Sequence, residues 1–231
     1  MKKLVVLTGA GISAESGIRT FRATDGLWEE YKIEDVATFE AWLRNPAMVQ
    51  EFYNQRRKQL YEVEPNAAHF SLVKLEQKFD VQIITQNVDD LHERAGSTNV
   101  LHLHGELKKS RSTTDPSLVY DIKGWELKMG DKCEKGSQLR PNIVWFGEEV
   151  PMIVPTAQLS ALAEIFIVIG TSLNVYPAAG LLHEASHASI KYLIDPNNCR
   201  IGHISNLTIM KENAGTGVPK LVEQLMSENN R

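Results

Sequence analysis

Cysteine is scarce in this chain: Cys133 and Cys199 are the only two among 231 residues. Two thiols cannot build a disulfide-dense scaffold or a four-thiolate metal site, and they suit a reducing cytoplasm. Long apolar runs are also missing. No stretch reaches the roughly 18 apolar residues of a membrane-spanning helix, so no membrane partner is expected. The opening Met1-Lys2-Lys3 runs straight into Leu4-Val5-Val6-Leu7, too short for a signal core, so the N-terminus is expected to enter the fold at once. Neither sign of charge dominates, with 29 acidic residues against 25 Lys and Arg. A net charge of -4 leaves no broad basic field for nucleic acid.

What is present is enough chain for a core: at this length about 70% of the extended surface can be buried. Short branched runs at Leu4–Leu7, Val81–Thr85, Ile165–Ile169, Ile190–Ile194 and Leu207–Met210 read as buried strands. Ala67–Lys78, Pro177–Ala188 and Gly217–Met226 read as helices, the last with Pro219 in its first turn. Strands alternating with helices predict an α/β fold, a Rossmann-like parallel sheet with helices on both faces. Two regions break the rhythm. Residues 28–65 are amphipathic and predict a helical cap, and residues 106–140 are polar and turn-rich, predicting an irregular module. The expected division is 1–27, 66–105 and 141–231 for the sheet domain, with 28–65 and 106–140 forming a small inserted domain.

The first strand empties into Gly9-Ala10-Gly11-Ile12-Ser13-Ala14, a permissive G-x-G-x-x-A dinucleotide turn. By itself this is weak evidence against an ordinary tight turn. The acidic residues about 20 positions on, Glu29 and Glu30, follow Trp28 in an apparent helix rather than at a strand tip. Glu15, Arg19, Phe21 and Arg22 come next to the turn, in a stretch that reads as a loop over a ligand. The second strand ends in Thr85-Gln86-Asn87-Val88-Asp89-Asp90-Leu91-His92, polar groups that are costly to bury unless hydrogen-bonded. Strand alternation then puts His102 and His104 on one face, with Leu101 and Leu103 on the other. Zinc is one reading of the histidines, but no neighbouring ligand completes a site.

Together these motifs resemble the sirtuins, the NAD-dependent protein lysine deacylases, and within them the small bacterial type related to the desuccinylase branch. The likeness runs through GAGISAESGIRTFR at 9–22, TQNVDDLHERAG at 85–96, HLHGEL at 102–107, RPNIVWFGE at 140–148, GTSLNVYPAAG at 170–180 and Gly215-Thr216-Gly217. The resemblance implies NAD as cofactor and acylated lysine peptides or proteins as partners. It implies His104 as general base, Asn87 organising a ribose and a water, and Asp89 with the Val88 backbone receiving the nicotinamide carboxamide. Gln86 would lie beside the ribose and Phe21 would shield its reactive face. Gly9, Ala10, Gly11, Ser13, Glu15, Arg19, Arg22, Gly170, Thr171 and Ser172 would surround phosphates and ribose. Asn197 and Gly215, Thr216 and Gly217 would border the adenosine. Here the match loosens: Asp195-Pro196-Asn197-Asn198 stands where relatives often carry an early Asn. The implied products are free lysine, nicotinamide and O-acyl-ADP-ribose.

Tyr53 and Arg56 are three apart on a predicted helix and share a face. A guanidinium with a phenol can grip a carboxylate, and the resemblance implies that this Tyr-x-x-Arg pair receives succinyl or malonyl groups beside acetyl. Val144, Phe146, Gly147, Asn174 and Val175 match segments that flank the family's peptide cleft. As bare sequence, Val144-Trp145-Phe146 reads as core. Glu148 is expected to discourage acidic peptide neighbours. Most sirtuins also hold a structural zinc with two cysteine pairs. Here Lys109-Ser110-Arg111-Ser112 replaces the first pair, and Cys133-Glu134-Lys135-Gly136 keeps one cysteine of the second, so no zinc is expected. A cytoplasmic monomer is expected. A silent NAD-binding module and a mono-ADP-ribosyltransferase remain as other readings at this level.

Overall fold

The computed structural model describes residues 1–18, 31–171, 173, 175–186, 189–197 and 202–228. β1 (Lys3–Thr8), β2 (Asp80–Thr85), β3 (Val100–His102), β7 (Ile165–Ile169), β8 (Ile190–Ile194) and β9 (Leu207–Met210) form a parallel sheet in the order β3-β2-β1-β7-β8-β9. β1 explains why the sheet needs cover on both sides. Leu4 and Val6 enter one apolar cluster with α5 (Ala67–Leu75) and α9 (Ala214–Ser227), while Val5 and Leu7 enter another. That second cluster takes in residues of α7 (Ile153–Ala161) and α8 (Leu181–Glu184). A continuous branched run is what a two-faced strand requires.

The chain builds outward from β1 through β2 and β3, then returns to add β7, β8 and β9 on the other side. The reversal lies between β1 and β7, where an open sheet leaves a crevice above its carboxyl ends. α1 (Ala10–Ala14) starts immediately beyond β1 at that crevice.

The helical cap comprises α2 (Ile33–Val36), α3 (Phe39–Arg44) and α4 (Pro46–Leu60). Its starts are written in side chains: Thr38 accepts from the Ala41 N–H at 3.0 Å, and Asn45 from the Met48 N–H at 3.2 Å ahead of Pro46. α6 (Leu91–Ala95) follows the β2 loop and ends at Gly96, whose φ of 108° is left-handed.

Several expectations need correction. The polar 106–140 region is only partly irregular: β4 (Gly105–Ser112) pairs antiparallel with β5 (Val119–Asp121) and β6 (Leu139–Ile143), with turns between them. Cross-strand hydrogen bonding holds it despite the lack of branched residues. The helix expected over 177–188 is a 3₁₀ turn at Ala178–Gly180 plus α8. It stops because Ala185 is extended, and the Ser186 and Ser189 carbonyls accept from the buried Lys191 ammonium at 2.7 and 3.2 Å. α5 closes at Leu75 because Gln77 and Lys78 bond back only three residues, a tighter turn. Pro219 is the sixth residue of α9, beyond its first turn.

Candidate active site

The crevice is floored by polar groups that hydrogen-bond to one another. The Thr8 hydroxyl donates to Thr85 Oγ1 at 2.8 Å, and that oxygen also accepts the Asn87 N–H at 3.0 Å. His92 Nε2 lies 3.0 Å from Thr8 Oγ1. Above this floor opens a cavity of about 570 Å³. Of the residues singled out in the sequence, Gly9, Ala10, Gly11, Ser13, Gln86, Asn87, Val88, Asp89, His104, Gly170, Thr171 and Asn197 line it.

The glycines serve close loop packing rather than open space. A Cβ on Gly11 would sit 2.6 Å from Gly170 Cα, and one on Gly9 would sit 2.7 Å from Thr171 Cβ. The Gly9 and Gly11 N–H groups are spent on the Ile169 and Gly170 carbonyls at 3.0 and 2.8 Å. The β1 turn is thereby fastened to the β7 tip, and those two donors are not left for a ligand.

Ser13 organises the middle of the cavity. Its hydroxyl accepts from Asn87 Nδ2 at 3.1 Å and donates to Asp89 Oδ2 at 3.0 Å. Asn87 Nδ2 also donates to Gly9 O at 3.2 Å, and Asp89 Oδ1 accepts the Leu91 N–H at 3.2 Å. Burial raises the Asp89 pKa, against the lowering effect of the Leu91 and Ser13 donors. The carboxyl is held in place by groups on α1 and at the start of α6.

The two histidines diverge. His102 meets acceptors at both ring nitrogens, Asn87 O at 3.0 Å and Glu93 Oε1 at 2.8 Å. Burial favours its neutral form, but the Glu93 hydrogen bond and charge, with the Asn87 carbonyl, outweigh it and raise the pKa. His102 ties the Asn87 carbonyl to Glu93 of α6. Among the described residues His104 bonds through Nδ1 alone, to Gln86 O at 3.1 Å. Because a carbonyl can only accept, Nδ1 carries the hydrogen and Nε2 keeps its lone pair. Burial lowers the His104 pKa, partly opposed by Gln86, so the ring is neutral near pH 7.

At the cap end, Tyr53 and Arg56 of α4 line the same cavity with Ile33, Ala37 and Leu107. Tyr53 is buried at 3% exposure and its hydroxyl accepts from Trp145 Nε1 at 3.0 Å. Burial pushes the Tyr53 pKa up to about 12, so the phenol is neutral. Burial lowers the Arg56 pKa, while Tyr53 and Asp89 act to raise it.

Val144, Phe146, Gly147 and Val175 also line the opening. The core reading of this segment holds only for Trp145, which is 2% exposed against 45% for Phe146. Glu148 lines the opening too, with its carboxylate engaged by neighbouring groups. It takes Arg140 at 2.7 and 2.9 Å, Arg111 at 3.2 Å and the Trp145 N–H at 2.8 Å. The N–H groups of Val144 and Phe146 go to His104 O and Ala37 O at 2.9 and 3.0 Å, pinning the segment between cap and sheet.

Four predicted residues lie elsewhere. Glu15 Oε2 accepts the Gly215 N–H at 2.6 Å, tying α1 to α9, and neither residue lines the cavity. Thr216 and Gly217 do not line it either; a Cβ on Gly217 would meet Ile194 Cγ2 at 2.7 Å. Arg19, Phe21, Arg22, Ser172 and Asn174 fall outside the described residues, as does Cys199. Asp195, passed over in sequence, lines the cavity at 5% exposure and accepts the Asn197 N–H at 2.8 Å. Its signal was position alone: a polar residue directly after a buried strand. Trp145 was concealed by its resemblance to core.

Among the described residues no cluster of three His, Cys, Asp or Glu is arranged to hold a metal. Cys133 Sγ instead bonds Ser112 Oγ at 3.6 Å, and Thr114 meets Ser137 at 2.6 Å. Among the described residues no helix is long and apolar enough to cross a membrane.

The Sir2 family profile matches residues 9–177. A Bacteroides thetaiotaomicron protein named NAD-dependent protein deacylase is 53% identical over 231 residues, spanning 98% of this chain and 99% of that one. A solved Sir2 homologue in complex with NAD superposes with a TM-score of 0.88 at 39% identity, covering 97% and 90% of the two chains. A Sir2 structure with a deacetylated p53 peptide and an O-acetyl-ADP-ribose superposes with a TM-score of 0.80 at 31% identity, covering 96% and 93%.

Proposed function

The chain belongs to the Sir2 family, and from that premise we propose how its site works as an NAD-dependent protein-lysine deacylase that accepts succinyl and malonyl groups beside acetyl. The observation that carries the acyl range is one shared cavity. Tyr53 and Arg56, three apart on α4, line the same space as His104, so a carboxylated acyl chain and the proton acceptor meet in one pocket.

The residues present fit the dinucleotide. The cavity runs along the carboxyl ends of the parallel strands, from Asp195 and Asn197 past Gly9–Gly11 and Gly170 to Asn87, Asp89 and His104. That is where an open α/β sheet holds nucleotides. NAD supplies an electrophilic ribose carbon and a leaving nicotinamide already carrying positive charge. His104 Nε2, neutral and with its lone pair free, takes a proton from a ribose hydroxyl. General base action of this kind contributes roughly 10² to 10⁴ in rate. Asp89, fixed by Ser13, receives the carboxamide, and Asn87 orients ribose and water. Asp195 adds an acceptor at the adenosine end, where the sequence match to the family is loosest.

Arg56 carries the cation that a succinyl or malonyl carboxylate needs, and Tyr53 adds a directional hydroxyl. An acetyl group leaves that end of the pocket to water, so deacetylation persists. Backbone contacts from the 144–147 and 173–175 segments would take peptides with varied flanking sequence. Residues 1–27, 66–105 and 141–231 serve the nucleotide, and 28–65 with 106–140 build the small part that shapes the acyl end.

The test is incubation with NAD and matched acetyl- and succinyl-lysine peptides, read by mass spectrometry. Free lysine peptide, nicotinamide and O-acyl-ADP-ribose in equal amounts are expected from both substrates. ADP-ribose attached to protein without lysine deacylation would make it a transferase, and binding without turnover a silent module. Arg56→Met is expected to cut desuccinylation much more than deacetylation; equal losses would end the carboxylate reading.

A further inference from the structure

Trp145 lines the pocket and its side chain hydrogen-bonds directly to Tyr53 of the acyl-recognition pair. Its indole Nε1–H donates to Tyr53 Oη at 3.0 Å, with both residues buried. We propose that Trp145 is a positioning residue for acyl selectivity, holding the Tyr53 hydroxyl so that the phenol donates its own hydrogen into the pocket. The proposal rests on the carboxylate reading of Tyr53 and Arg56 and deepens it.

A phenol has one hydrogen and acceptor capacity, and an indole N–H can only donate. The Trp145 bond therefore fills an acceptor direction of Oη. The Tyr53 hydrogen cannot point back along that line. Among the described residues Oη has no other hydrogen-bond partner, so no protein acceptor competes for that hydrogen. A carboxylate beside Arg56 is the acceptor that would match it. A neutral Tyr53, its pKa pushed up to about 12 by burial, keeps the hydrogen to give.

The indole itself is held from three sides. The Arg140 guanidinium carbon lies 3.4 Å from the centroid of the Trp145 ring, and the Trp42 ring centroid lies 5.8 Å away. Glu148 grips Arg140 through both carboxylate oxygens and also accepts the backbone N–H of Trp145. The backbone N–H on the far side, at Phe146, is fixed to Ala37 O. A chain of fixed groups thus runs from Glu148 through Arg140 and Trp145 to the Tyr53 hydroxyl. An acetyl group offers no acceptor at that end of the pocket, so the chain bears on carboxylated acyl groups alone.

The experiment is a double-substitution cycle on the full-length enzyme at saturating NAD. It compares kcat and KM on succinyl- and acetyl-lysine peptides of one sequence for wild type, W145F, Y53F and the pair. W145F should lower the succinyl-to-acetyl ratio of kcat/KM by about fivefold, the scale of one neutral hydrogen bond, chiefly through the succinyl-peptide KM. In the Y53F background the same change should leave the ratio where Y53F put it. A merely structural indole would lower both substrates together or act equally with and without the phenol, and either result overturns the proposal. If W145F unfolds the protein, site-specific β-(3-benzothienyl)alanine at 145 keeps the ring and removes only the N–H, and the same ratios decide. Arg56→Met run alongside separates the layers. If it is selective for succinyl while the indole change is not, this proposal alone falls; if it lowers both substrates alike, the carboxylate clamp falls and this proposal with it.

Discussion

His104 gives its Nδ1 hydrogen to the Gln86 carbonyl across 3.1 Å, and this one bond decides which nitrogen can act as a base. Only Nε2 retains a lone pair, in a ring that lines the cavity. Burial holds its pKa below the ordinary 6.5, so the ring is already neutral at pH 7. The rate should therefore be flat across pH 7 to 8 and fall only below about 6.5, as the imidazole gains a proton. His104→Ala should lower kcat by at least about 10² while calorimetry still detects NAD binding. An acid limb centred above pH 7, or near-normal kcat in the variant, would remove His104 from the role.

Ser13 couples two groups to which the proposed mechanism gives roles. Its hydroxyl sits between Asn87 Nδ2 at 3.1 Å and Asp89 Oδ2 at 3.0 Å. Ser13→Ala strands a buried carboxylate oxygen and leaves the Asn87 amide held by Gly9 O alone. The expected loss is about tenfold in kcat/KM for NAD, the scale of a buried hydrogen bond to a charged partner. The peptide KM, set at the other end of the cavity, should move little. Equal changes in both KM values would show that the substitution disturbs the whole site.

Strand runs were legible because burial on both faces leaves a plain mark: Ile165–Ile169 and Ile190–Ile194 begin and end where the apolar runs do. The small sheet was not. β4 reads Gly-Glu-Leu-Lys-Lys-Ser-Arg-Ser, and its order comes from cross-strand pairing and side-chain hydrogen bonds that no local pattern reveals. In the site, Asn87, Asp89 and His104 were legible as polar groups at strand ends. Glu15 was not legible in the same way, because a carboxylate beside a glycine-rich turn looks the same whether it meets ligand or, as in this structure, the N-terminus of α9. Trp145 was missed because hydrophobicity cannot show where an indole N–H points.

Acid should destabilise the fold through His69 and His92, whose ring centroids lie 5.0 Å apart under the crevice. His69 Nδ1 accepts the Asn66 N–H at 3.3 Å, capping α5. Burial lowers the His69 pKa to about 4, and burial with the charges of His69 and His102 lowers that of His92 well below 6.5. Both are therefore neutral when folded but take up protons when unfolded below about pH 6.5. The unfolded state binds more protons in that window, so stability rises with pH there. It is complete above about 6.5 and is lost as pH falls toward 4. Urea melts at pH 7.5, 6.0 and 5.0 should show a falling midpoint, with a smaller fall in His69→Gln. A midpoint constant over that range would contradict the burial argument.

The small sheet must hold without a thiolate cage, and Arg57 is the group on which that depends. Its side chain is fully buried on α4. Nε donates to Leu107 O of β4 at 2.6 Å, and one terminal nitrogen donates to Trp125 O at 2.7 Å and to Asn54 Oδ1 at 2.8 Å. Asn54 in turn accepts the Leu127 N–H and donates to Leu127 O, at 3.0 and 3.1 Å. One turn of helix thus grips both a strand and the loop beyond β5. Burial lowers the Arg57 pKa to about 10, which still leaves it charged at neutral pH. Arg57→Met removes the charge but leaves buried carbonyls unpaired, a cost of about 2 kcal/mol. For a chain of this size that is a fall in Tm of roughly 4 to 8 °C. Chelator, by contrast, should leave the Tm of the wild-type protein unchanged, and elemental analysis of protein purified without chelator should find no stoichiometric zinc. One tightly bound zinc per chain, or an Arg57→Met variant as stable as wild type, would mean that something other than this buried arginine holds the sheet to the cap.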